Sequence, residues 1–444
     1  MVSPLRSRLH ARQFRPRLSA TFFYVVAALV SIRPASAAEA PLTLAEAQRQ
    51  AVAHSRQLPA KDFAASAARE SAIAAAQLPD PVLKIGVDNL PVTGPDRFSL
   101  SNDFMTMRRV GVMQEITRGD KRRLRGETFN QTAEKSLAEK QVATATIERD
   151  TALAWLDLYY VKAMSAVVDD QGTQAQLEVQ AADGSYRSGR GNQADVFAAH
   201  SAVASFEDRK SEYRRRILNA QTMLARWTGS SAEALAAKPD TDVIRLDPAT
   251  LETALAHHPE IDVSNRQVDI AETQARLAQA DKKSDWSVEV AFQQRGSAYS
   301  NMVSVGVSIP FQWDQKNRQN RELTSKLAMV DQAKSERDEM LRDHVAQTRV
   351  LINEWNNDRE RAARYDRDLT PLARQRTVAT IAAYAGGKST LAEVLQARRN
   401  EIDVRLQGLQ LQADAARLWA QLNFLFPTTA TASHATMNTI QEIK

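Results

Sequence analysis

Four short stretches of the chain alternate apolar with polar residues, which is the period of a strand with one apolar face. Trp286, Val288, Val290 and Phe292 alternate with Ser287, Glu289, Ala291 and Gln293, and Val303, Val305, Val307 and Ile309 alternate with Ser304, Gly306 and Ser308. Earlier, Leu83, Ile85 and Val87 alternate with Lys84, Gly86 and Asp88. The stretch 105–116 is the least regular, because Arg108 and Arg109 fall on opposite faces. The pattern predicts strands at about 81–90, 105–116, 285–294 and 301–311. These lengths approach the roughly 9 to 11 residues of a tilted strand crossing a bilayer. Alternation alone equally fits a half-buried sheet in a soluble domain.

The helical segments shift that balance. Residues 119–185 and 314–384 are rich in Ala, Glu, Gln, Arg and Leu with few breakers. At 1.5 Å per residue, about 65 residues make a rod of roughly 100 Å. No compact domain buries such a rod, whereas a coiled assembly or a tube does. Gly172 and Pro371 are expected to mark local irregularities rather than ends. Return helices over 192–228 and 390–426 follow two tight turns, Arg187-Ser-Gly-Arg-Gly191 and Ala385-Gly-Gly-Lys-Ser389, whose glycines permit positive φ.

These elements form two copies of one pattern. Ala51-Val-Ala-His54 recurs as Ala254-Leu-Ala-His257, Val110-Gly-Val112 as Val305-Gly-Val307, and the Tyr186 to Val196 segment as Tyr384 to Val394, at offsets of 203, 195 and 198 residues. The drop in offset between the first two landmarks implies a longer loop between the strands of the first copy. The repeats are taken as 38–245 and 246–427, each reading helix, strand, loop, strand, long helix, tight turn, helix.

Residues 1–37 are expected to be a cleaved export signal. They hold six arginines and no acids, a short apolar run from Phe22 to Val30, and Ala35-Ser-Ala37 as the cleavage motif. The whole chain is formally +5, but without this segment it has 52 basic and 53 acidic residues, which removes any case for nucleic-acid binding. Residues 428–444 are polar and rich in Thr, Ala and Ser, and are expected to be disordered. The chain has no cysteine, which excludes thiolate metal sites, Cys nucleophiles and an acylated cysteine anchor. With no second long apolar run, entry into a membrane would require a closed barrel, and four strands are too few to close one.

Catalytic chemistry finds no foothold: there is no Gly-rich phosphate loop, HExxH or GxSxG. The chain therefore reads as a non-enzyme without cofactor. His257 and His258 are adjacent, so their side chains leave a helix in different directions and read as a solvated helix end. Met105 and Met107 would share one strand face, with lipid contact or barrel packing as the favoured role over thioether ligation. No stoichiometric metal site is expected.

The two-copy plan resembles the TolC family of outer-membrane efflux proteins across nearly the whole chain. Within it, Leu78-Pro-Asp-Pro81, Asp88 to Pro95 and Asp103 to Glu115 resemble the CzcC-like subgroup of heavy-metal efflux channels. The resemblance implies a mainly α fold with a membrane β-barrel, built as a homotrimer with four strands per chain in a shared twelve-stranded barrel and an α-helical periplasmic tunnel. It places Leu83, Ile85, Val87, Trp286, Val288, Val290, Phe292, Val303, Val305, Val307 and Ile309 against outer-membrane lipid. It puts Gly189, Arg190, Gly191, Gly386, Gly387 and Lys388 at the periplasmic tips that meet an adaptor protein, and implies an inner-membrane RND-type pump as energy source. Asp195 and Glu393, just inside the return helices, would form acidic pore rings in a trimer, or serve only to complement the helix N-termini. A duct for drugs or for a type I secreted polypeptide is the alternative cargo reading. A periplasmic coiled-coil adaptor or scaffold is the alternative from another class, and it would lack barrel strands.

Overall fold

The computed structural model describes residues 40–428. The export signal expected over 1–37 and, apart from Thr428, the tail expected over 428–444 lie outside the described residues; Thr428 is ordered, its N–H and hydroxyl donating to Glu148. The first copy comprises α1 (Leu44–His54), α2 (Gln57–Ala75), β1 (Val82–Asp88), β2 (Met107–Ile116), α3 (Gly119–Arg187) and α4 (Gln193–Thr228). The second comprises α5 (Leu251–Leu255), α6 (Pro259–Asp281), β3 (Trp286–Gln294), β4 (Met302–Ser308), α7 (Gln319–Arg364), α8 (Thr370–Ala385) and α9 (Leu391–Asn423). The loop between strands spans 89–106 in the first copy and 295–301 in the second, which accounts for the change in repeat offset.

Helix α3 runs unbroken for 69 residues, about 100 Å at 1.5 Å each. The irregularity expected at Gly172 does not occur. A Cβ there would sit 3.9 Å from the Phe206 Cβ, so this glycine lies where α4 passes close by and leaves the hydrogen-bond ladder intact. Small residues do the same nearer the sheet. Ala65 and Ala68 of α2 are buried against Ala133 of α3, and a Cβ on Gly126 would stand 3.1 Å from the Ala72 carbonyl.

The second rod differs from the expected 314–384. It starts at Gln319, because residues 313–318 form a turn whose polar side chains are occupied elsewhere. The Gln312 and Gln315 amides donate to the Asp281 and Lys282 carbonyls at the end of α6. Further down, Tyr365–Leu369 is a π-helical turn, with the Thr370 N–H donating to the Tyr365 carbonyl. Pro371 explains it: proline has no N–H for the carbonyl four residues back and its ring crowds that carbonyl, so the ladder widens locally.

The four strands form one antiparallel sheet in the order β1-β2-β3-β4, and the β2–β3 pairing joins the two copies. The main core lies where the rods cross the chain between repeats. Trp155, Leu156 and Leu158 of α3, Leu224 of α4, Leu251 and Leu255 of α5 and Leu422 of α9 are all buried there. Three indoles fasten the linking strands of backbone to it. Trp155 donates to the Leu42 carbonyl at 3.0 Å, Trp355 to Thr241 at 3.3 Å and Trp419 to Val243 at 2.8 Å.

Trp155→Ala is expected to cost about 3 to 5 kcal/mol, since it empties a fully buried ring site. Trp419→Phe keeps the packing and loses one hydrogen bond, for about 1 kcal/mol. Denaturant unfolding of the detergent-solubilised protein measures both; equal losses from the two changes would contradict this account.

Candidate functional site

The sheet register sorts its side chains into two chemically opposite faces. Leu83 pairs with Val112, Val112 with Val290 and Val290 with Val305; Ile85 pairs with Val110, Val110 with Phe292 and Phe292 with Val303. Val87, Trp286, Val288 and Val307 share this face by the same period, and Ile309 follows β4 in step. Nearly all of it is open to solvent in the single chain: Ile85 is 75% and Val305 69% exposed. The opposite face carries Lys84, Asp88, Arg109, Glu289, Gln293 and Ser304. Glu289 is paired with Arg109 and, at 2.8 Å, with Lys84. The close approach of β2 and β3 requires glycine at 111, where a Cβ would fall 2.8 Å from that of Ala291.

Two expectations are corrected here. Met105 and Met107 do not share a strand face: β2 begins at Met107, while Met105 sits in the preceding turn, where its N–H donates to Asp103 Oδ1. Met107 falls on the polar face with Arg109. The arginines that weakened the strand pattern are accommodated differently, Arg109 in the Glu289 pair and Arg108 at the strand end, donating to the Arg295 carbonyl.

The far ends of the rods are two matched hairpins. Gly189 and Gly387 both have φ of +73°, the left-handed region that glycine enters without strain. The hydrogen bonds match as well: Gly189 N–H donates to Tyr186 and Arg190 N–H to Ser185, as Gly387 does to Tyr384 and Lys388 to Ala383. Gly191 and Gly386 complete the turns. The acids just beyond are not equivalent. Glu393 closes a capping box with Thr390, accepting from the Thr390 N–H and the Ser389 hydroxyl. The Ser389 hydroxyl foremost holds its carboxyl below the ordinary range. At Asp195 the cap is Asn192, whose side-chain oxygen accepts the Asp195 N–H at 2.8 Å, so the Asp195 carboxylate is not the capping acceptor.

Sequence reading missed the links between the hairpins. Arg398 of α9 is ion-paired with Glu178 of α3, both largely buried, and Arg405 of α9 reaches Asp170. Cross-element pairing of this kind has no sequence period to betray it.

It also misjudged the histidines. His258 is 6% exposed, not a solvated helix end. Its Nδ1 accepts the Glu260 N–H as the N-cap of α6, and its ring lies 4.7 Å from that of His344. Burial pushes its pKa down to about 4. The His258-Pro259-Glu260 order, an N-cap before proline at N1 and an acid in the first turn, was the signal available in the sequence.

Among the described residues no helix is long and apolar enough to cross a membrane. Removing Arg398 leaves the Glu178 charge buried without its partner, so Arg398→Ala is expected to destabilise by about 3 to 5 kcal/mol. The double variant Arg398→Leu/Glu178→Leu should recover most of that loss; thermal unfolding that shows no recovery would refute the pairing as its cause.

Comparison with known proteins agrees with this architecture. Residues 250–426 match the family described as outer membrane efflux protein. The cobalt-zinc-cadmium resistance protein CzcC of Cupriavidus metallidurans is 25% identical over 194 residues, which span 43% of this chain and 45% of that protein. The match thus covers less than half the length of that relative. Among solved structures, the outer membrane protein VceC of Vibrio cholerae superposes with a TM-score of 0.69 at 18% identity, covering 86% of this chain and 95% of that one. CusC, a transmembrane channel, superposes at 0.71 with 14% identity, covering 86% and 92%. The channels among these structural neighbours are not enzymes. Residues 250–426 therefore match the outer membrane efflux protein family, and the described chain has the fold of these solved outer-membrane proteins.

Proposed function

We propose that the protein is the outer-membrane channel of a tripartite RND-type efflux system, and that it exports divalent heavy-metal ions. The observation that carries this reading is the sheet. It has one predominantly apolar exposed face, interrupted by Arg108, Gln114 and Gln294, one polar face and two unpaired edges, and it leads into rods of roughly 100 Å. Such a sheet reaches a stable state by closing with copies of itself, apolar side outward in lipid and polar side around water. A homotrimer supplies twelve strands. The eleven apolar side chains from Leu83 to Ile309 then contact lipid, and Lys84, Arg109 and Glu289 line the lumen.

The hairpin tips, with Arg190 and Lys388 at their turns, are the surface offered to a periplasmic adaptor. Opening moves the tips apart, favoured by adaptor contacts made only in the open state. A duct without nucleotide or proton-coupling chemistry relies on an inner-membrane pump for energy. The heavy-metal cargo rests on the likeness to a cobalt-zinc-cadmium resistance protein.

Three measurements test this. Deletion of the gene should lower growth on cobalt, zinc and cadmium salts while leaving drug sensitivity unchanged; the reverse pattern would assign the duct to organic cargo. Val305→Arg should destabilise the assembled barrel by about 2 to 4 kcal/mol near the bilayer midplane, whereas Ser304→Arg, one residue along and facing the lumen, should cost far less. Equal costs at the two positions would place both faces in one environment. In planar bilayers, Asp195→Asn/Glu393→Gln channels should lose cation preference, and an unchanged preference removes the acidic rings as selectivity elements.

A further inference from the structure

Away from the sheet and the tips, two imidazoles and a carboxylate meet at the junction of the two repeats. His258 is the N-cap of α6, Glu260 lies in its first turn, and His344 reaches across from α7. His344 Nε2 is 2.9 Å from a Glu260 carboxylate oxygen. One donor atom of each of the three residues lies within 4.8 Å of the other two. We propose that His258, Glu260 and His344 bind one borderline divalent transition-metal ion of the zinc(II) or cobalt(II) type.

The donor set decides the class of ion. Two imidazoles with one carboxylate suit zinc, cobalt or nickel, while magnesium and calcium prefer all-oxygen shells. Ligand atoms at about 2.0 to 2.2 Å from such an ion stand roughly 3 to 3.5 Å from one another. With its donor atoms within 4.8 Å of one another, the cluster is at most about 1.3 to 1.8 Å wider than a closed shell.

His258 is prepared for this role. It is 6% exposed, so an ion held there would be largely screened from bulk water. Its Nδ1 accepts only a long 3.3 Å bond from the Glu260 N–H, which a metal ion would replace, and the ring's other partner is the Leu425 backbone. A backbone group on one ring nitrogen is the usual support for a histidine that ligates through the other. There is also room for the rest of a coordination shell: a cavity of about 440 Å³ is lined by His258, Glu260 and His344 together with Asp150 and Gln347.

The simpler reading is that His344 and Glu260 form an ion pair and His258 only caps a helix. That reading leaves unexplained why a second imidazole is buried 4.7 Å from the first, beside a carboxylate and an open polar cavity. The site is independent of what passes through the pore, since it assumes nothing about cargo.

Full-length protein, stripped with a chelator that is then removed, should bind one cobalt(II) per chain with saturable visible absorption, and zinc(II) should displace it. His258→Asn, which keeps a good capping side chain, and His344→Gln should each weaken binding at least about tenfold to hundredfold with unchanged circular dichroism. His257→Asn, at the exposed neighbour outside the cluster, should bind like the unaltered protein. No saturable cobalt spectrum in folded protein overturns the proposal, as does equal affinity in the His258 and His344 variants. A strain lacking the gene that shows no metal sensitivity would count against the heavy-metal cargo and leave this site standing.

Discussion

Water cannot satisfy this molecule at its sheet. The valines, Leu83, Ile85, Trp286 and Phe292 cover one side of four strands without any covering element, and β1 and β4 each present an unpaired edge. Burying the face alone would leave the edges open, and pairing the edges alone would leave the face wet. Closure into a barrel inside lipid answers both at once. In the function proposed above, the rods extend from that closed sheet away from the membrane, and the joint between copies holds them together.

The joint shows how two copies of one pattern become one body. The main core does not divide between the repeats, because α3 and α4 of the first and α5, α7 and α9 of the second contribute to it together. Trp155 secures the start of the first repeat ahead of α1, while Trp355 and Trp419 secure the linker ahead of the second. The sheet repeats the theme through β2 and β3, and the Arg398–Glu178 pair does so toward the tips. Contact between copies is thus spread over the whole length of the rods.

What the sequence disclosed follows from which interactions are periodic. The strand faces were legible because alternation at period two survives any tertiary context, and the apolar residues named from it do share one face. The positive φ of Gly189 and Gly387 was legible because only glycine relieves that geometry cheaply. The partners of Arg109 and Arg398 were not, since they come from residues distant in the chain with no fixed spacing. His258 was misread for a related reason: adjacency to His257 suggested a helix end in water, whereas its burial is set by His344 and Phe426, which arrive from elsewhere.

The π-helical turn at Tyr365–Leu369 bears on the relation between the copies. A turn holding one additional residue rotates everything beyond it by about 100° relative to everything before. Helix α3 has no such turn at any depth. The offset between copies is 195 residues at the strands and 198 at the hairpin glycines, and this turn supplies one of the three residues of difference, so no single numerical shift equates the two rods along their whole length. Positions there that align on paper point in different compass directions, so a substitution that is harmless in one rod is no guide to its counterpart in the other.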